Sequence, residues 1–110
     1  METKLSEIEI IPVKPHNGLL AFTSFVLNES FYISDVAIYS RLDQGGYRLV
    51  YPIKVLSNGL KINCFYPINR QAGKLIEDAV IKAYLSLIEK ATKRKGQNHE
   101  PESPEALRLN

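Results

Sequence analysis

The sequence predicts an α+β fold in which an antiparallel β-meander of about five strands packs against one C-terminal amphipathic helix. Three observations predict it. Residues 6–66 are rich in β-branched and aromatic side chains and are punctuated by turn clusters at Pro15-His16-Asn17-Gly18, Asn28-Glu29-Ser30, Asp43-Gln44-Gly45-Gly46 and Ser57-Asn58-Gly59. Residues 72–91 switch to apolar side chains at three-four spacing, the period of a helix with one buried face. A chain of 110 residues is also long enough for one hydrophobic core and short for two. The expected organisation is one domain over residues 1–95 and a flexible tail over 96–110, whose glutamates and prolines show no strand or helix period.

Taken in order, residues 6–13 alternate as a strand, and Pro12, with no N–H to donate to a ladder, assigns that strand to a sheet edge. A second strand is expected over 19–27. The third, over 31–40, carries Phe31, Tyr32, Ile33, Val36, Ile38 and Tyr39, and ends before Gly45 and Gly46, which tolerate the positive φ of a turn. Residues 47–55 are strand material broken by Pro52 into two short pieces. Beyond Ser57-Asn58-Gly59, Leu60, Ile62, Cys64 and Tyr66 alternate with Lys61, Asn63 and Phe65, which predicts a strand that turns Cys64 toward the core. Asn69 is the expected N-cap of the helix and Gly96 its expected stop.

The helix stripe comprises Ala72, Leu75, Ile76, Ala79, Val80, Ala83, Leu87, Ile88 and Ala91, with Lys74, Asp78, Lys82, Ser86, Glu89 and Lys93 opposite. One helix covers one sheet face. The second and third strands are apolar on both, with Phe22 and Val26 opposing Ala21 and Phe25, and Val36 and Ile38 opposing Ile33 and Tyr39. Uncovered apolar surface of that extent predicts a homodimer.

Composition narrows the chemistry. A lone cysteine forms no internal disulfide, and Cys64 with only His16 and His99 supplies too few ligands for structural zinc, so neither a metal nor a cofactor is expected. Met1-Glu2-Thr3-Lys4 leads into alternation without the zones of a secretory signal, and no apolar run is long enough to span a bilayer, so the expected place is the cytoplasm, away from the membrane. Glu77 and Asp78 are adjacent on a helix and point about 100° apart, which does not make an acid/base pair. No nucleophile or orienting acid accompanies His16 or His99, and the chain is not expected to be an enzyme. The net charge is only +2, but residues 61–95 hold eight cations against three anions, so the basic bias is local.

Ile33-Ser34-Asp35-Val36-Ala37-Ile38 and Val50-Tyr51-Pro52-Ile53-Lys54 resemble the third strand and the proline-lysine strand of the SpoVG family, whose members act in septation and sporulation control. Tyr66-Pro67-Ile68-Asn69 followed by Asp78-Ala79-Val80 resembles its strand-to-helix junction, and the likeness runs over residues 8–87. The resemblance implies a compact α+β fold, dimerisation, binding to DNA or RNA, and no catalysis. The chain departs from the family at Val55, where a second basic residue usually follows the lysine, and at Gly73 and Leu75, where arginine and lysine are common; Arg70 and Lys74 stand beside the latter positions.

The candidate phosphate contacts are Lys54, Arg70, Lys74 and Lys82. The competing reading is a solvated helix face, with Lys74 and Lys82 flanking Asp78 at i,i+4 spacing. Lys90, Lys93, Arg94 and Lys95 crowd the helix C-terminus, where the macrodipole favours cations without any ligand. Tyr32, Tyr39, Tyr47 and Tyr51 could stack on bases or pack at sheet faces. A second functional class, a module that contacts a division or regulatory protein without nucleic acid, is favoured by the lost basic positions.

Overall fold

The computed structural model describes residues 2–98, and side chains over residues 2–92. Strands β1 (Leu5–His16), β2 (Leu19–Leu27), β3 (Phe31–Ser40) and β4 (Tyr47–Val50) form one antiparallel sheet in the order β1-β2-β3-β4. A separate hairpin joins β5 (Ile53–Val55) to β6 (Lys61–Asn63), and helix α1 (Arg70–Asn98) follows. The predicted meander and helix are therefore present, with six strands in two sheets. Pro52 divides the predicted fourth strand as expected, and β1 lies at a sheet edge, as Pro12 requires.

Local chemistry sets the turns. Asn17 and Gly18 both have positive φ, 53° and 90°, and join His16 to its partner Leu19 in the two-residue turn that matches strand twist. The β1 ladder consequently runs on to His16, past the expected end of the strand.

Two bulges flank the middle of β2. On β1, Glu7 and Ile8 together oppose Phe25, with Glu7 at φ 51°. On β3, Ser34 and Asp35 oppose Ser24, with Asp35 at φ 64°. Each extra residue bends its strand and raises the local twist. Both bends fall where Thr23, Ser24 and Phe25 are consecutively buried. The two hydroxyls there are satisfied from β1: Thr23 Oγ1 donates to the Glu9 carbonyl at 2.9 Å, and Ser24 Oγ donates to Glu9 Oε1 at 3.4 Å.

The core lies between the sheet and α1. Ala21, Phe25, Val36 and Ile38 meet Ile76, Val80 and Tyr84. The buried centre of the helix is thus Ile76-Val80-Tyr84, one residue in four, and Tyr84 was absent from the predicted stripe. Leu75 and Ile88, which belonged to that stripe, are each 38% exposed. The helix continues beyond Gly96 to Asn98, so Gly96 does not stop it; the rest of the predicted tail lies outside the described residues.

Cys64 requires a correction: it is exposed. Leu60, Ile62 and Tyr66, assigned with it to a core face, are also exposed, and Phe65 packs inward instead. The β5–β6 hairpin stands apart from the main sheet, so neither of its faces is a core face and alternation there carries no inward direction. Past Asn63 the chain keeps one further bond, from the Cys64 N–H to the Pro52 carbonyl at 3.2 Å.

Candidate nucleic-acid interface

The strand-to-helix junction is built from short-range rules. Pro67 ends extended pairing, and Asn69 caps α1 as expected: its Oδ1 accepts from the Ala72 N–H at 2.7 Å and its carbonyl from the Gly73 N–H at 3.1 Å. No acidic residue occupies the first turn. The positive end of the helix macrodipole is therefore uncompensated by side chains of that turn, and Arg70, the first helical residue, adds to it.

Three of the four predicted cations share the N-terminal half of α1. Arg70 and Lys74 border a cleft of about 310 Å³ together with Leu49, Tyr51, Gly73 and Glu77. Lys74 and Lys82 flank an adjoining groove with Gln71, Leu75, Asp78 and Ala79. Lys74 Nζ also pairs with Asp78, at 3.1 Å to Oδ1 and 3.3 Å to Oδ2. That pair is one half of the competing reading, which set Lys74 and Lys82 on either side of Asp78, but exposed i,i+4 pairs stabilise a helix by only about 0.3–0.5 kcal/mol. So weak a tie leaves Lys74 available to a phosphate. Lys54 is exposed on β5 and borders neither groove. Lys90 is exposed and lines an open groove whose other wall includes Ile8 and Ile10 of β1; the side chains of Lys93, Arg94 and Lys95, and all of His99, lie outside the described residues.

The four tyrosines do not form one stacking platform. Tyr32 is 69% exposed, Tyr39 lies under the Arg48 guanidinium at 5.1 Å, and Tyr47 packs edge-on against Tyr84 with ring centroids 5.5 Å apart. Tyr51 meets Phe65 edge-on at 6.1 Å, and its hydroxyl is buried with no hydrogen-bond partner among the described residues.

Burial, helped by the Glu77 carboxylate, pushes the Tyr51 phenol up to about 12 from 10.0, and burial with Tyr47 raises Tyr84 in the same direction. Below pH 10 both folded and unfolded chains hold the Tyr51 proton. Above it the unfolded chain releases the proton first, so stability is expected to fall as pH rises from 10 toward 12. Alkaline titration of the phenolate absorbance, paired with urea unfolding at each pH, checks this. Tyr51→Phe should flatten much of the pH dependence and leave neutral-pH stability unchanged or higher, because an unpaired buried hydroxyl costs free energy. A lower stability at neutral pH would mean the hydroxyl has a partner in solution.

Sequence reasoning missed a second feature at this junction, an apolar cavity of about 240 Å³ between the sheet and the start of α1. Its walls include Phe25, Ile33, Tyr51, Phe65, Tyr66 and Ile76. The aromatic content of Tyr51 and of Phe65-Tyr66 was the available signal, but only the fold brings those segments together. Among the described residues no group of three or more His, Cys, Asp or Glu is placed to hold a metal ion, and no helix is long and apolar enough to cross a membrane.

Comparison with known proteins agrees with the resemblance read from the sequence. The profile of the SpoVG family matches residues 3–86, from before β1 into the fifth turn of α1. No curated protein sequence gives a significant match.

Proposed function

The chain belongs to the SpoVG family, and from that premise we propose that it is a dimeric, non-catalytic regulator of septation or sporulation that binds DNA or RNA through the N-terminal half of α1. Arg70, Lys74 and Lys82 are its phosphate contacts, with Lys54 as a fourth from the β5–β6 hairpin. The observation that carries this reading is the placement of Arg70. A cation in the first turn of a helix is disfavoured by the macrodipole, and here no acidic neighbour in that turn offsets it. Helix stability alone gives no reason for arginine there, whereas an incoming phosphate does.

Salt dependence is the test. Three helix contacts give a slope of log affinity against log salt of about −2.7 on duplex DNA, and participation of Lys54 steepens it to about −3.6 per protomer. Lys54→Ala then separates the two values. Oligonucleotide affinity that does not change with salt would remove the basic face from consideration. A partner protein retained after nuclease treatment would instead favour the interaction-module reading, which the apolar Val55 and the side-chain-free Gly73 at usually basic positions make reasonable.

Support for dimerisation comes from the sheet face turned away from α1. The ladder sets Ile11, Phe22, Ala37 and Val50 side by side across all four strands; Ala37 is buried, Val50 half-buried, and Ile11 and Phe22 are 46% and 36% exposed. The exposed pair on β1 and β2 is the apolar surface that calls for a cover. Sedimentation equilibrium should give twice the chain mass, and Phe22→Asp should return it to one; a wild-type monomer at high concentration would reject the pairing.

A further inference from the structure

We propose that the apolar cavity at the β6–α1 junction accepts one unstacked nucleobase, whose phosphate is held across the Tyr51 ring by Arg70 and Lys74. The inference rests on the nucleic-acid reading above and extends it from backbone contacts to a base-binding site.

The hollow of about 240 Å³ at the end of the core is partly open to solvent, so a ligand can enter it without disturbing the packed interior. Its lining is mostly apolar. Phe25, Ile33 and Ile76 form apolar surface, while Tyr51, Phe65 and Tyr66 contribute aromatic walls. Aromatic walls select a planar ligand with a π-face. The volume lies below the roughly 300–1,000 Å³ of sites that enclose a whole drug-sized molecule, which favours a single ring system. Thr3, Asn28 and Asn69 give the cavity a polar rim, in which the Asn28 and Asn69 Oδ1 atoms accept from the Lys4 and Ala72 N–H groups, and a polar rim suits a heteroaromatic ring better than a plain hydrocarbon.

Charge complementarity decides between a neutral heterocycle and a nucleotide. Tyr51 lines both this cavity and the neighbouring cleft that holds Arg70 and Lys74. A ligand with its ring in the cavity therefore has two cations on the far side of one shared wall. A base carrying a phosphate has that division into an apolar plane and an anion. The mouth is open to a strand end, since Ile68 and Tyr66 beside it are 88% and 56% exposed.

The test uses the full chain with labelled isoleucine methyl groups and backbone amides. It is titrated by nuclear magnetic resonance with ribo- and deoxyribonucleoside monophosphates, and separately with inorganic phosphate. Nucleoside monophosphates should move the Ile33, Ile68 and Ile76 methyl signals saturably, and phosphate alone should not. Ala72→Leu places a larger side chain into the cavity from a helical position that leucine suits, and should weaken nucleotide binding at least tenfold while leaving the oligonucleotide salt slope intact. Tyr66→Ala, at a half-exposed wall, gives a second variant that spares the core and should weaken it too. Equal shifts from inorganic phosphate, or unchanged nucleotide affinity in both variants, would overturn the proposal. If oligonucleotides bind through the cations while the cavity signals stay still, the base site is wrong and the nucleic-acid reading survives. If monophosphates fill the cavity and no oligonucleotide binds, the site stands and the wider reading fails.

Discussion

Truncation of Phe25 to alanine is expected to lower the unfolding free energy by about 3–5 kcal/mol, the upper range for loss of a core side chain. Phe25 is 1% exposed in the second half of β2, opposite the β1 bulge, one residue beyond the position that faces the β3 bulge, and in the core beneath α1. It belongs to the buried cluster that joins the sheet residues to the Ile76-Val80-Tyr84 face. Phe25 also borders the existing cavity, so removal of its ring enlarges a hollow that the fold already carries. Cost rises with the volume left empty, because the surroundings collapse only in part. Flanking bulges restrict that collapse further, since they fix the bend of β2 from both sides. Urea unfolding should show a lower midpoint with unchanged slope. Phe31→Ala is the control, because Phe31 is 64% exposed and its truncation should stay within about 0.5 kcal/mol. Equal effects for the two phenylalanines would mean that the sheet does not pack on α1 as described.

Phe25 also illustrates how far the sequence could be read. The meander was legible because its turns are local chemistry: Asn17-Gly18 supplies the positive φ pair, and Pro52 splits β4 from β5. Asn69 was legible as a cap for the same reason. Cys64 was not, because period-two reasoning assumes one wet and one buried face, and a free-standing hairpin has neither. Tyr84 escaped because the stripe was traced through aliphatic residues, while the curved sheet presses on a line that ends in an aromatic ring. Of the site, Arg70, Lys74 and Lys82 could be grouped from helical spacing alone. The cleft that joins Arg70 to Tyr51 could not, since it depends on how β4 and α1 pack, a contact between segments distant in sequence.

Reversal of two charges, Arg70→Glu with Lys74→Glu, should reduce oligonucleotide affinity by a hundredfold or more while the fold persists. The binding side follows from magnitude: two charge-assisted contacts at roughly 1.5 kcal/mol each amount to about 3 kcal/mol, which exceeds two factors of ten. The salt slope should also flatten by about 1.8 as two counterion-releasing contacts disappear. The folding side is a near balance of opposed local effects. Glutamate in place of Arg70 meets the positive end of the macrodipole and should stabilise α1 by about 0.3–1 kcal/mol. Glutamate in place of Lys74 removes the bond to Asp78 and leaves like charges one turn apart, which costs about 0.2–0.5 kcal/mol on each count. These terms nearly cancel, so urea unfolding should change by less than about 1 kcal/mol, far below the effect on binding. Affinity and salt slope that both match the parent chain would show that nucleic acid, if bound, sits elsewhere. A loss of affinity with an unchanged slope would show that these side chains act through the shape of the junction rather than by neutralising phosphates.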